Sequence, residues 1–198
     1  LSGSQTNVLE GITLQGDVST GNASFTLKDS LVLNGTLTTN GATITSANNV
    51  AISGAGTLSL SNTFLYSAAI GTPNMLTFGN DITIEGSGFR TGSGFLSILN
   101  QGTMRISSNV ATTRLAFAAD YTFENTGSIE ILDDATLELE SLVGNGVGDL
   151  TLGTGSQLIL YEDLTQPILG NITNNGGNVV LRGILDLETG TLNLNDST

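Results

Sequence analysis

The stretch Leu96-Ser97-Ile98-Leu99-Asn100-Gln101-Gly102-Thr103-Met104-Arg105-Ile106 sets the reading of the whole chain. Two apolar-x-apolar triplets flank a short turn that contains a glycine. Residues two apart along a strand point to the same face, so Leu96 and Ile98, then Met104 and Ile106, would enter a core while Ser97 and Arg105 meet water. Each run is too short for an amphipathic helix, which needs apolar residues at i, i+3 and i+4 over ten or so positions.

The same phrase returns in both directions. Towards the amino terminus it reads Leu76-Thr77-Phe78 with Ile82-Thr83-Ile84, Val50-Ala51-Ile52 with Leu58-Ser59-Leu60, and Leu31-Val32-Leu33 before Asn34-Gly35 and Leu37. A partial copy opens the chain at Leu9-Glu10-Gly11-Ile12-Thr13-Leu14. Towards the carboxyl terminus it reads Tyr121-Thr122-Phe123 with Ile129-Glu130-Ile131, Leu150-Thr151-Leu152 with Leu158-Ile159-Leu160, and Val179-Val180-Leu181 with Leu185-Asp186-Leu187. One turn glycine per copy gives positions 11, 35, 56, 79, 102, 127, 155 and 183, separated by 24, 21, 23, 23, 25, 28 and 28 residues. A repeat of that length is one coil of a solenoid. A third strand pattern follows in several copies, at Ala42 to Thr45, Thr136 to Leu139 and Thr191 to Leu194.

The expected fold is all-β: a parallel β-helix solenoid of about eight coils of 21–28 residues, with residues 1–198 as a single domain or as a segment of a longer array. Coils of such variable length point to the right-handed form. A β-sandwich would instead show hairpins and strands of about five or six residues. Helix is expected to be nearly absent, with Pro73 and Pro167 in loops and with bulging corners at Ser61 to Asn74, Gly86 to Gly94, Glu140 to Asp149 and Tyr161 to Pro167. Register assigns Leu185 to the core and Asp186 to solvent.

Composition narrows the function. The chain is 38% hydrophobic and only 12% charged, with 26 Gly, so its surface is solvated by hydroxyls and amides. The net charge of -13 argues against nucleic acid and anionic membranes, which call for basic neutralisation of phosphates. With no Cys and no His, disulfides, thiolate or imidazole metal sites and histidine bases are excluded. No apolar run approaches the roughly 20 residues of a membrane-spanning helix. The chain begins at Leu1, which reads as removal of a leader or excision from a longer polypeptide.

The phrases Ile98-Leu99-Asn100-Gln101-Gly102-Thr103 and Phe123-Glu124-Asn125-Thr126-Gly127-Ser128-Ile129-Glu130 resemble the repeats of large bacterial surface proteins of the filamentous-haemagglutinin and autotransporter-passenger kind. That resemblance covers most of the chain. It implies a secreted rod at the cell surface or in an extracellular matrix, used for adhesion or as a fibre, and it carries over no functional residues.

Candidate chemistry is sparse. A glycosidase needs two carboxylates facing one cleft, and the only dense acidic group is Asp133, Asp134, Glu138 and Glu140. Asp133 and Asp134 fall at a corner, and Glu138 alternates with Leu137 and Leu139 on an outward face, so all read as solvated acids. A lyase needs a base beside carboxylate or calcium, but Lys28, Arg90, Arg105, Arg114 and Arg182 are scattered over different coils. Arg105 and Glu130 share a slot after Gly102 and Gly127, which predicts an ion pair between rungs. Calcium at Asp133 and Asp134 is weighed and set aside for want of a dedicated loop motif. Ice binding is a third class, for which the outward slot reads Thr13, Ser59, Thr83, Arg105, Glu130, Ile159 and Asp186, too mixed to match a lattice. Acceptor patterns for glycosylation occur at Asn22, Asn34, Asn171 and Asn195, as chance allows in such a composition.

The leading expectation is therefore a non-enzymatic structural or adhesive protein, extracellular or on the cell surface, with no catalytic residue, cofactor or metal. The alternative is a carbohydrate-active enzyme on the same scaffold. Leu9 to Leu14 and Thr191 to Leu194 read as strands and not as caps, so the expected partners are further β-structure, by self-association or in a longer chain, and a surface glycan or protein.

Overall fold

The computed structural model describes residues 7–69, 73–91, 95–107, 111–116, 121–142, 146–161, 164–165, 169–186 and 195–196, without the side chains of 164–165, 185–186 and 195–196. It is a parallel β-solenoid of about seven turns, close to the eight expected. Every strand pairing among the described residues is parallel, and each strand pairs with strands one coil away. Helix among the described residues is limited to Leu169.

Three walls enclose the core. Wall two is a nine-stranded ladder: Val18–Gly21, Thr36–Asn40, Thr57–Ser61, Thr83–Ser87, Thr103–Ile106, Ser128–Ile131, Asp149–Leu152, Asn171–Asn174 and Asn195–Asp196. Wall three runs through Thr43–Ser46, Phe64–Ser67, Arg90–Thr91, Thr113–Leu115, Thr136–Leu139, Gln157–Leu160 and Asn178–Leu181. Wall one runs through Val50–Ser53, Asn74–Phe78, Leu96–Asn100 and Phe123–Asn125. Strands Asn7–Leu14 and Phe25–Leu33 each turn the corner from wall three into wall one. They bend at Gly11 (φ 55°) and Asp29 (φ 66°). Asp29 tolerates that left-handed backbone because Asn48 in the next coil both accepts from its N–H (2.9 Å) and donates to its carboxylate (2.6 Å).

Alternation fills the interior as the sequence indicated. On wall two Leu37, Leu58, Ile84, Met104, Ile129, Leu150 and Ile172 stack in register and are buried. Each such aliphatic side chain contributes on the order of 1.5–3 kcal/mol. Stability is thus spread along the rod.

The repeat needs rephasing at both ends. Gly11 marks the corner from wall three to wall one, not the turn from wall one to wall two. Leu150–Leu152 was expected to align with Leu96–Ile98 and Tyr121–Phe123; it pairs instead with Ile129–Ile131 on wall two. Leu158–Leu160 accordingly joins Leu137–Leu139 on wall three. All three walls use the same apolar-x-apolar word and every corner admits glycine, so the local phrase does not say which wall it belongs to. After Phe123–Asn125 the next described contact of wall one is a single bridge between Phe123 and Leu142. The pair Leu164–Thr165 and Leu185–Asp186 lies between walls three and two in chain order, and both halves of the copy at 150–160 fall one wall beyond their expected place.

The true marker is a column of residues just before the wall-two strands: Gly35, Gly56, Ile82, Gly102, Gly127, Gly148 and Gly170. A Cβ on Gly56, Gly127 or Gly170 would lie 2.4, 2.0 or 2.2 Å from the carbonyl oxygen of the glycine one coil below. Backbones of successive coils touch there, which leaves no room for a side chain.

Parts of the expected loops, with Pro167, lie outside the described residues, as does Thr191 to Leu194. Leu185 and Asp186 pair with Leu164 and Thr165, and the expected facing of their side chains lies outside the description.

Candidate functional site

Wall three gathers the groups best able to meet a partner. In Phe64–Ser67 the inward residues are Leu65 and Ser67, which are buried, so Phe64 and Tyr66 point out and are 41% and 42% exposed. Register places Phe64 beside Arg90, and Arg90 beside Arg114. The Arg90 guanidinium sits 5.0 Å from the centre of the Phe64 ring, a cation–π contact. Among the described residues no carboxylate lies within ion-pair distance of Arg90.

The next rungs continue the strip. Arg114 is in register with Glu138 and reaches both Glu138 Oε2 (3.5 Å) and Glu140 Oε1 (2.6 Å). The hydrogen bond to Glu140 raises the Arg114 pKa above its ordinary value, outweighing the partial burial that lowers it, with the charges of Glu140 and Glu138 adding to the rise. Tyr161 lies between two cations, 5.8 Å from Arg114 and 5.1 Å from Arg182. Lys28, at the corner where this wall turns into wall one, pairs with Glu10 at 2.7 Å.

The cations expected to be scattered do lie on different coils, but four of the five share this one side of the rod. Arg105 is the exception. It stands on wall two and forms the expected ion pair with Glu130, Nε to Oε2, at 2.9 Å; both side chains are exposed, so the pair is worth at most about 1 kcal/mol.

The acidic candidates separate. Asp133 and Asp134 form a turn between walls two and three, as expected of a corner. Asp133 Oδ1 accepts from the Thr154 N–H at 2.8 Å, and the Asp134 N–H donates to the Thr154 carbonyl at 3.0 Å, so both tie this turn to the one above. Glu138 and Glu140 face outward on wall three and are occupied by Arg114. Among the described residues no three carboxylates converge as a cation site would need.

The outward columns of wall two differ from the expected slot. One reads Thr36, Thr57, Thr83, Thr103, Ser128, Asp149 and Asn171; its neighbour reads Thr38, Ser59, Glu85, Arg105, Glu130, Thr151 and Thr173. Thr83 thus moves out of the slot, Glu85 takes its place, and Ile159 belongs to wall three. Four threonines do align, yet the charged run beside them interrupts any two-column hydroxyl lattice. A shallow hollow of about 390 Å³ opens here, lined by Ser59, Ser61, Glu85, Arg105 and Ser107, where Gly86 supplies no side chain. Of the glycosylation patterns, Asn22, Asn34 and Asn171 are exposed.

Comparison with family models, curated proteins and solved structures returned no match.

Sequence reasoning missed the wall-three strip because its members lie more than twenty residues apart. The signal was present in principle: once the wall-three strands are aligned, Phe64, Arg90, Arg114 and Glu138 fall in one column.

Proposed function

We propose that this chain is a non-enzymatic structural and adhesive module of an extracellular or cell-surface rod, akin to the filamentous-haemagglutinin and autotransporter-passenger proteins whose repeats it resembles. One observation carries the reading: a rigid solenoid presents exposed rings and guanidinium groups in a single strip along its length. Large exposed apolar groups set among polar ones mark interaction surfaces. A strip that follows the rod axis suits an extended partner better than a small substrate.

Extension of the rod by further β-structure belongs to the same reading. Leu9, Ile12 and Leu14 on the first described rung are only partly buried, whereas their partners Leu27, Leu31 and Leu33 are almost wholly so. Another coil or subunit stacked there would cover these groups and pair the strand edge.

The test is antibody labelling of producing cells before and after permeabilisation, together with adhesion of the wild type and a variant lacking Phe64, Tyr66 and Arg90. Labelling of intact cells and weaker adhesion of the variant are expected. Signal that appears only after permeabilisation would overturn the proposal. The enzymatic alternative rests on the wall-two hollow, where Glu85 and Arg105 stand in register. Turnover of a polysaccharide by the purified protein, abolished by Glu85→Gln, would replace the adhesive reading with that one.

A further inference from the structure

We infer that wall three binds an anionic, uronate-bearing polysaccharide laid lengthwise along the rod. This rests on the adhesive reading and names its ligand class. The charge distribution supplies the first reason. In a chain of net charge -13, the described residues of the strip carry Arg90, Arg114 and Arg182 against Glu138 and Glu140. The described residues of the strip thus carry one net positive charge on an acidic rod, and at physiological salt the Debye length of about 8 Å screens acids on the far walls.

Side-chain chemistry supplies the second. The Arg90 guanidinium lies over the Phe64 ring and has no carboxylate partner among the described residues, so its planar fork of donors is available to a carboxylate in bidentate fashion. Phe64 and Tyr66, outward on the same strand, offer apolar ring surface to the C–H face of a sugar, with the Tyr66 hydroxyl as a polar tip. Rungs recur at about 4.8 Å, so charged and aromatic groups are met repeatedly by a polymer that follows the axis.

Size decides between a polysaccharide and a second copy of this chain. Seven strands with six intervals make the strip roughly 29 Å long, and four residues make it roughly 13 Å wide. That flat area, roughly 380 Å², is about half of the 800 Å² per partner that a stable protein interface buries. A single polysaccharide chain fits within it.

The experiment is affinity electrophoresis of the 198-residue chain in gels containing polygalacturonate, alginate, hyaluronate or neutral dextran, with EDTA present. Retardation by at least one uronate polymer and none by dextran is expected, weakening as salt rises. Arg90→Gln, and separately Phe64→Ser with Tyr66→Ser, should each reduce the apparent affinity roughly tenfold or more. Arg105→Gln on wall two should leave it unchanged. Circular dichroism checks folding; if the double variant unfolds, Arg90→Gln alone decides. The inference fails if no uronate polymer retards the protein, if dextran does so equally, or if Arg90→Gln binds as wild type. It also fails if Arg90 proves instead to drive self-association by sedimentation. A surface-exposed, adhesive protein that passes none of these gels would sink this inference and leave the adhesive reading standing.

Discussion

Two buried asparagines one coil apart should respond unequally to the same truncation. Asn100 and Asn125 both end wall-one strands, stand in register and are wholly buried. Asn125 is fully used: its Nδ2 donates to the Val147 carbonyl at 2.7 Å and to Gly127 at 3.3 Å, and its Oδ1 accepts from Asn100 Nδ2 at 2.7 Å. Asn125→Ala strips the close partner from the Val147 carbonyl and leaves Asn100 Nδ2 with only long contacts to Gly102 and Ser128, at 3.3 and 3.4 Å. Each buried group left short of a partner costs about 1–3 kcal/mol, so for these two groups the expected loss is about 2–6 kcal/mol.

Asn100→Ala is a milder change. Its Oδ1 is buried and accepts no hydrogen bond among the described residues, so truncation removes an unsatisfied acceptor at the same time as it takes the donor from Asn125 Oδ1. The expected cost is about 0–2 kcal/mol. Urea unfolding followed by far-ultraviolet circular dichroism should therefore place the Asn125→Ala midpoint clearly below that of Asn100→Ala. In heating the gap should be several degrees, at roughly 2–4 °C per kcal/mol for a chain of this size. An Asn100→Ala midpoint equal to or lower than that of Asn125→Ala would refute the hydrogen-bond accounting.

Three further outcomes follow from register, sterics and charge. Leu150→Asp buries an unpaired carboxylate in the core and should unfold the neighbouring coils, whereas Thr151→Asp on the outward face should cost under about 1 kcal/mol; equal effects in urea would mean the wall-two register is wrong. Gly86→Ala should cost at least about 2 kcal/mol more than Gly41→Ala, because both have positive φ but only at Gly86 would the new Cβ fall 1.7 Å from the Leu60 carbonyl oxygen. The hydrogen bond to Glu10, aided by its charge, raises the Lys28 pKa above its ordinary 10.5. The folded state then holds that proton more tightly than the unfolded one, so the contribution is present below the ordinary value and fades as pH rises through the raised one. Titration of the Lys28 ammonium by NMR, with and without Glu10→Gln, should show the raised value fall back in the variant.

Fold class was legible because alternation and turn spacing are local. Leu96 and Ile98 announce one inward face, Met104 and Ile106 another, and both are buried as read; Ser97, expected to meet water, is buried as well, its Oγ accepting from the Thr122 N–H at 3.1 Å. Coil phase was not legible from the same words. Leu150-Thr151-Leu152 could sit on any wall by its own pattern, and only its pairing with Ile129–Ile131 assigns it to wall two. The longer spacing that precedes Gly155 hinted at the change; it arises because Gly155 lies at the corner after the wall-two strand Asp149–Leu152, whereas Gly148 before that strand keeps the phase. Glycine counting failed for a related reason. Corner glycines such as Gly11 serve a left-handed bend, whereas the column at Gly56, Gly127 and Gly170 serves backbone contact between coils, and only the latter keeps phase with wall two.

The candidate site was less legible still, and the physics of a solenoid explains the difference. Burial acts on each strand separately, so every strand must declare its inward face in its own few residues. A binding surface is assembled across strands, from outward residues that carry no such obligation. Phe64, Arg90, Arg114 and Glu138 each look like an isolated choice on an outward position, and they become a column only when register fixes which wall each occupies. An error of phase therefore leaves the core reading intact while it rewrites the surface, which is how Thr83 and Ile159 entered a slot that belongs in part to Glu85 and Thr151. In such a fold the column is the unit in which surface chemistry acts, and the strip on wall three stands out because its rings and guanidinium groups recur in columns against an acidic background.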